Sequence, residues 1–410
     1  MNMKKAAILI VMLLAVLACG PQTETDPYED TLCTLIVQAG YPQGYSAFIR
    51  EGVPVSVEEV NLGMSYTRLT DASGQAEFKI PTGLYRVSVN DMYEGEIFNG
   101  AADKVLVTNR STVLPLALLH SVAGSIVIKE IYCGGCKRLP QEGNYQSDQY
   151  IILHNNDYRV QYLDGLCIGG LFPYNAMASN PFISKDPSTG ETVFAPYIPV
   201  AEAVWQFGGD GTRFPLAPGE DAVVCLRGAV DHTVQFPLSV NLDKPGYFVC
   251  YNNTYFTNTN YHPVPGSNIS QDRYLEVVVK TGISNAYAFS TNSPAVVLYR
   301  AQGMTMRDFV QTADSVIPIP GSGNAQVTAI PPEWIIDAVE VFSGTSSSNA
   351  KRLLPSLDAG YVTLSDTFLG HTLHRVVDES MSASSGYEVL KDTNNSTSDF
   401  YERETQSLHE

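Results

Sequence analysis

Thr70-Asp71-Ala72-Ser73-Gly74-Gln75-Ala76-Glu77-Phe78-Lys79-Ile80, followed by Gly83-Leu84-Tyr85-Arg86-Val87-Ser88-Val89, is the stretch that decides the fold class. Ala76, Phe78 and Ile80 point one way, and Gln75, Glu77 and Lys79 the other. In the second run Tyr85, Val87 and Val89 oppose Arg86 and Ser88. A period of two marks strands with one face on a core and the other in water. Asp71-Ala72-Ser73-Gly74 and Pro81-Thr82-Gly83 supply turn chemistry between them. Further out, Cys33, Leu35 and Val37 share a face, as do Val53, Val55 and Val57. Residues 31–118 are therefore expected to form a β-sandwich.

The remainder, 122–410, reads as a second β domain. Ile126, Ile128 and Glu130 alternate with Val127, Lys129 and Ile131. Many Gly, Pro, Tyr and Thr residues with short apolar runs between them make the whole chain all-β. The excess length of this second domain lies near 172–215 and 251–330, which read as long loop insertions. Such insertions in compact domains are usually functional or mobile.

At the start, Lys4 and Lys5 precede an apolar run from Ala6 to Ala18. A spanning helix needs roughly 20 apolar residues, so this run fits a secretory leader over 1–18. Val16-Leu17-Ala18-Cys19 resembles the lipobox of bacterial lipoproteins. That resemblance implies cleavage before Cys19, acylation there, and partnership with a membrane through the attached lipid. Several acyl chains hold where one gives only marginal binding. Residues 19–30 are polar and read as a flexible tether. Their acidic residues resemble surface-export signals of Bacteroidota lipoproteins, so an outer-membrane, surface-exposed location is expected.

The formal charge of −18 moves to about −20 once the leader and its two lysines are removed. An acidic surface disfavours nucleic acid, whose affinity comes largely from Lys and Arg. Beyond Cys19 there are Cys33, Cys133, Cys136, Cys167, Cys225 and Cys250, an even number that permits disulfides in an oxidising compartment. Cys133-Gly134-Gly135-Cys136 is a local pair for which a structural disulfide or idle thiols are expected ahead of metal or redox chemistry.

Two resemblances sharpen the domains. The string 70–89 resembles the carboxypeptidase-regulatory, or prealbumin-like, β-sandwich, a module that serves as spacer or platform and carries no catalysis. Ser147-Asp148-Gln149-Tyr150-Ile151-Ile152-Leu153-His154-Asn155-Asn156, then Tyr162 to Ile168, Leu216 to Val224, Ile335 to Glu340, Asp392 to Ser396 and Asp399-Phe400, resemble in order the lamin-tail domain. That domain is an immunoglobulin-like sandwich, so two such sandwiches are implied. The set is similar to an uncharacterised family of Bacteroidota lipoproteins that pairs the two modules. Ile152 and His154 depart from its pattern, which has an acidic residue and an aromatic there.

No Gly-x-Ser-x-Gly elbow, His-Glu-x-x-His or phosphate-binding glycine loop is present, so no catalytic residue, cofactor or metal is assigned. His371 and His374 lack a nearby third ligand for zinc. Asp392, Asn394 and Asn395 match part of a calcium loop without its Gly and closing Glu, and read better as Asx-turn caps. Asp30-Thr31-Leu32 and Asp314-Ser315-Val316 resemble the O-glycan acceptor motif of Bacteroidota envelope proteins. Tyr251, Asn253, Tyr255, Phe256, Tyr261 and His262 form the candidate ligand-binding surface, because aromatic, amide-rich loops offer stacking area and adaptable hydrogen bonds. An ordinary polar edge and turn is the plain alternative. Phe172, Tyr174 and Trp205 either extend that surface or belong to the core. The expected function is a non-enzymatic envelope protein that binds a ligand or serves an outer-membrane importer. A structural or adhesive module is the alternative, and a hydrolase comes third.

Overall fold

The computed structural model describes residues 32–409 apart from 94, 95, 109, 189, 191 and 345. The leader, Cys19, the tether and Thr31 lie outside the described residues. Strand Cys33–Gly40 pairs antiparallel with Gln75–Ile80 and parallel with Ser111–Ala117. A five-stranded sheet faces it, ordered Ser65–Leu69, Pro54–Glu59, Gly83–Tyr93, Glu96–Val107 and Leu119–Ser121. Every side chain that the alternation directs inward here is buried, and Leu35, Val37, Val55, Val57, Phe78 and Val87 meet in one core. Asp71 Oδ1 accepts from the amides of Ser73 at 2.8 Å and Gln75 at 3.0 Å, and Gly74 takes φ +77°, which is the turn its sequence specifies.

The second part is a larger sandwich of two six-stranded sheets. One runs Phe248–Val249, Asp221–Cys225, Tyr150–Asn155, Ile126–Tyr132, Thr372–Arg375, Phe400–Arg403. The other runs Glu276–Lys280, Ala203–Gln206, Cys167–Gly170, Ala295–Tyr299, Ile335–Ser343, Val362–Leu364. Ile128, Ile151, Val224 and Leu373 of the first meet Ile168, Trp205, Leu298 and Val339 of the second. Both sheets are covered again on their outer faces, by clusters around Val240 and Ile269 on one side and Met306 and Trp334 on the other. Central strands buried on both faces read as continuous apolar runs, as Tyr150–Asn155 and Ala295–Tyr299 do. The segments 172–215 and 251–330 are not loop insertions alone. They supply three of the second sheet's strands: Ala203–Gln206, Glu276–Lys280 and Ala295–Tyr299.

The alternation expected in Ile126–Tyr132 is broken by a bulge. Ile152 faces Glu130 and Leu153 faces Ile128, which leaves Lys129 as an extra residue. The phase shifts by one, so Ile126, Ile128, Ile131 and Cys133 all enter the inter-sheet core. Glu130 turns to the outer face, where the Tyr150 hydroxyl donates to its Oε1 at 2.5 Å. Ile152 joins the outer apolar cluster, while His154 is held between Asp221 at 2.6 Å and the Glu388 carbonyl at 2.9 Å.

Between the sheets lies Arg375, 1% exposed. Its guanidinium donates to Ile128 O at 2.8 Å, to Asp337 Oδ2 at 2.6 Å, and to Lys391 O and Asp392 Oδ1, both at 3.1 Å. Asp399 lies 3.9 Å away. On the same strand as Asp337, Glu340 accepts from Arg352 Nε at 2.8 Å and from the amides of Arg352 and Leu353. The loop carrying Asp392 also meets the first sandwich. Asn90 and Asn99 both donate to Thr393 O at 2.9 Å, and Arg86 lies over the stacked rings of Phe342 and Tyr361.

Removing one member of a buried charge network leaves the rest uncompensated, at about 3–5 kcal/mol. Arg375→Met is therefore expected to lower the unfolding free energy by roughly that amount in urea titrations, far more than a surface Arg68→Met. One guanidinium also cannot neutralise three carboxylates. Burial pushes Asp337 up to about 6 and Asp399 up to about 7. A carboxyl whose folded pKa is raised stabilises fully below its unfolded value near 3.8 and loses that contribution as pH rises through the folded value. Melting temperatures of Asp399→Asn should accordingly fall less steeply than those of the unaltered chain between pH 4 and pH 7; parallel curves would contradict this.

Candidate functional site

The Tyr- and Asn-rich loop does not present its six candidate residues together. Asn252 Oδ1 accepts from the amides of Thr254 at 3.0 Å and Tyr255 at 3.1 Å, which curls the loop back onto the sandwich. Phe256, 1% exposed, stacks on the fully buried Trp205 with ring centroids 5.4 Å apart. His262 is equally buried, stacks on half-buried Tyr251 at 5.0 Å, and accepts from Asn252 N at 3.2 Å. Burial, and after it the Arg227 charge, pushes this imidazole down to about 4, so it stays neutral near pH 7. Only Asn253, Tyr255 and Tyr261 remain outside, Tyr261 beneath the Arg227 guanidinium at 5.0 Å. Half of the expected surface is thus a plug in the core. Phe172 packs in a small cluster with Phe182, and the half-exposed Tyr174 donates its hydroxyl to Glu202.

Of the two alternatives expected for Cys133 and Cys136, a structural disulfide or idle thiols, the structure has free, buried thiols. Cys133 belongs to the inter-sheet core, whereas Cys136 Sγ stands 3.7 Å from Asp148 Oδ2. The two glycines fit the tight path between them: at Gly135, φ +76°, a Cβ would stand 2.1 Å from Tyr145 O. Burial pushes both thiols up to about 12, and the Asp148 charge adds to this at Cys136. Neither is then a thiolate near neutral pH, the form that nucleophilic or metal chemistry needs. Asp148 is itself raised by burial and takes hydrogen bonds from Ser239 Oγ at 2.6 Å and the Tyr132 hydroxyl at 3.1 Å.

The other sequence candidates are spoken for. His371 pairs with Glu402 at 2.8 Å, while His374 is buried on Arg375 O. Asp392 is an Arg375 partner and accepts from Gly124 N at 2.6 Å. Asn395 caps the short helix Ser396–Asp399, as an Asx turn should. Ser315 is 1% exposed and donates to Thr312 O at 2.8 Å, which closes that glycan motif to an enzyme in the folded chain.

One concave feature was not foreseen. A cleft of about 370 Å³ opens beside the strand Asp221–Cys225, within the size range of ligand sites. Its floor is apolar: Phe214, Leu216 and Phe248 are all buried, with the two rings edge to face at 5.1 Å. Arg273 lies 4.6 Å over Phe248, and Arg213 5.4 Å over Phe214. Arg213 also meets Asp272 at 3.2 Å. Because Phe214 and Phe248 come from distant segments, no local spacing announces them.

These placements separate core from surface within one loop. Phe256→Ala should destabilise by about 3–5 kcal/mol, as buried aromatic truncations do. Tyr255→Ser, at an exposed position, should stay within about 0.5 kcal/mol. Denaturant titration of the two variants side by side checks the assignment.

Residues 217–407 match the model of a family described as protein of unknown function (DUF4876). A solved DUF4876 family protein from Bacteroides thetaiotaomicron is 24% identical, with a TM-score of 0.57, covering 90% of this chain and 94% of that one. The major pilin subunit BcpA of Bacillus cereus is 9% identical over 75% of this chain and 94% of its own, with a TM-score of 0.16, and does not bear on the fold. No curated protein matches the chain. Residues 217–407 therefore align with the DUF4876 family, described as of unknown function, and the fold of the chain is similar to that of a solved DUF4876 family protein.

Proposed function

We propose that this chain is a non-enzymatic lipoprotein of the outer membrane, anchored through Cys19 and exposed on the surface. Its second sandwich binds a ligand or serves as an accessory subunit of an outer-membrane importer. The lipobox-like Val16-Leu17-Ala18-Cys19 supports the address. The observation that carries the binding role is the cleft of about 370 Å³, apolar in its floor and arginine-edged at its mouth. Clefts of that volume, with a few fixed polar groups along them, are where ligands are held.

A structural or adhesive module is the second reading, favoured by Tyr255 and Tyr261, which stand 46% and 44% exposed on the loop over the core. Aromatic side chains at a rigid surface are common anchors for partners.

Metabolic labelling with palmitate and purification from outer membranes test the proposal. The unaltered chain should carry the label and retain an importer or a small ligand; Cys19→Ser should lose the label, and Arg213→Glu combined with Arg273→Glu the retained partner. Recovery of the labelled protein alone would sink the binding role. Altered cell adhesion in Tyr255→Ser with Tyr261→Ser, and none in the cleft variant, would favour the second reading.

A further inference from the structure

The sheet edge beside the cleft is only partly covered. In the pairing with Tyr150–Asn155, Asn155 N donates to Glu220 O at 3.0 Å and Leu226 N to Gln149 O at 2.9 Å. Those bonds set the phase: even-numbered residues of the strand direct their main-chain groups inward, and Asp221, Val223 and Cys225 direct theirs out. Cys225 O accepts from Cys250 N at 2.9 Å. The neighbouring strand Phe248–Val249 is in register only from Val224 onward. Ahead of it, among the described residues, no strand pairs with the outer edge at Asp221–Val223, which forms a wall of the cleft.

The charge at the mouth is also distinctive on a chain of net −18. The acids nearby are engaged: Asp221 with Lys129 at 2.7 Å and His154 at 2.6 Å, Glu220 with the amide of Ala217 at 2.7 Å, Asp272 with Arg213. Arg273 donates to Gly246 O at 2.8 Å and is otherwise stacked over Phe248. No carboxylate of the described residues pairs with it. A stacked guanidinium with donors to spare is suited to a planar carboxylate.

We infer that the cleft takes an extended peptide segment bearing a carboxylate side chain. The segment adds as a strand at Asp221–Val223, seats an apolar side chain on the Phe214–Phe248 floor, and places its carboxylate on Arg273, with Arg213 beside it. An unpaired edge reads main chain and the pockets along it read alternate side chains, which is how strand addition recognises peptides. The inference rests on the reading of the second sandwich as a binding module and names the ligand class of that same cleft.

Fluorescence anisotropy with the full chain tests it, using labelled hexapeptides that alternate Val with Glu, Val with Lys, and Val with Glu with alternate amides N-methylated. The Val/Glu peptide is expected to bind saturably. Arg273→Ala should weaken it at least about tenfold, and N-methylation by a similar factor, since each removes a charge-assisted or main-chain hydrogen-bond set. Should Arg273→Ala fail to fold by circular dichroism, Arg213→Ala, at an exposed position, should still weaken binding about threefold. Absence of saturable binding at millimolar chain, equal binding of the Lys peptide, indifference to N-methylation, or capture of an acidic oligosaccharide in place of the peptides would overturn the inference. A partner retained from membranes in an Arg213- and Arg273-dependent way, with no peptide bound, would sink this inference and leave the proposed function standing; loss of both would sink both.

Discussion

The second sandwich is organised around a cation that water never reaches. Arg375 sits on one sheet, grips a main-chain carbonyl at Ile128 on the next strand, and reaches across the core to Asp337 on the opposite sheet. Taking such charges out of water costs several kcal/mol per ion before any attraction is counted. Its partners, Ile128 O on the neighbouring strand and Asp337 on the opposite sheet, tie the two sheets together through one side chain. Glu340 and Arg352 form a second buried ion pair, with Arg352 also donating to Pro173 O at 3.0 Å. Asp358 accepts from Glu340 N at 2.7 Å and from the Ser396 hydroxyl at 2.6 Å, joining this second clamp to the loop that follows Asp392.

Legibility differed sharply between the two sandwiches, for a physical reason. In the first, the strands Cys33–Gly40, Pro54–Glu59, Gln75–Ile80 and Gly83–Tyr93 each have one wet face, so Leu35, Val55, Phe78 and Val87 announce their side by alternation alone. In the second, outer clusters cover both sheets, and a strand such as Ala295–Tyr299 has no polar face to set its phase. A single extra residue at Lys129 then reversed the expected facing of Glu130 and Ile131. Strand pairing between segments more than a hundred residues apart, such as Cys167–Gly170 with Ala295–Tyr299, leaves no local sign, and Ala295–Tyr299 lies inside a stretch whose sequence reads as a loop insertion.

The candidate surface was legible only in part. Tyr, Asn and His in close succession suit a binding loop and a capped plug equally well, because both need turns and rings. What separates them is whether a partner ring waits beneath, and Trp205 lies some fifty residues upstream of Phe256. The cleft was invisible for the converse reason. Its arginines and phenylalanines come from three separate segments, at 213–214, 248 and 273, and its edge is defined by the two-residue length of Phe248–Val249.

The loop from Asp392 to Ser396 has a consequence for how the molecule could be divided. One side of it supplies Asp392 to Arg375, and the other offers Thr393 O to Asn90 and Asn99, while Asn394 Nδ2 donates to Val122 O at 3.2 Å. A fragment beginning at residue 122 would strip Thr393 O of both side-chain donors and uncover the Phe342–Tyr361 stack that Arg86 now shields. The boundary that composition and spacing suggest is thus a seam in the sequence but not in the solvation of the fold. A carboxy-terminal fragment should be stickier and less soluble than its own large core would lead one to expect.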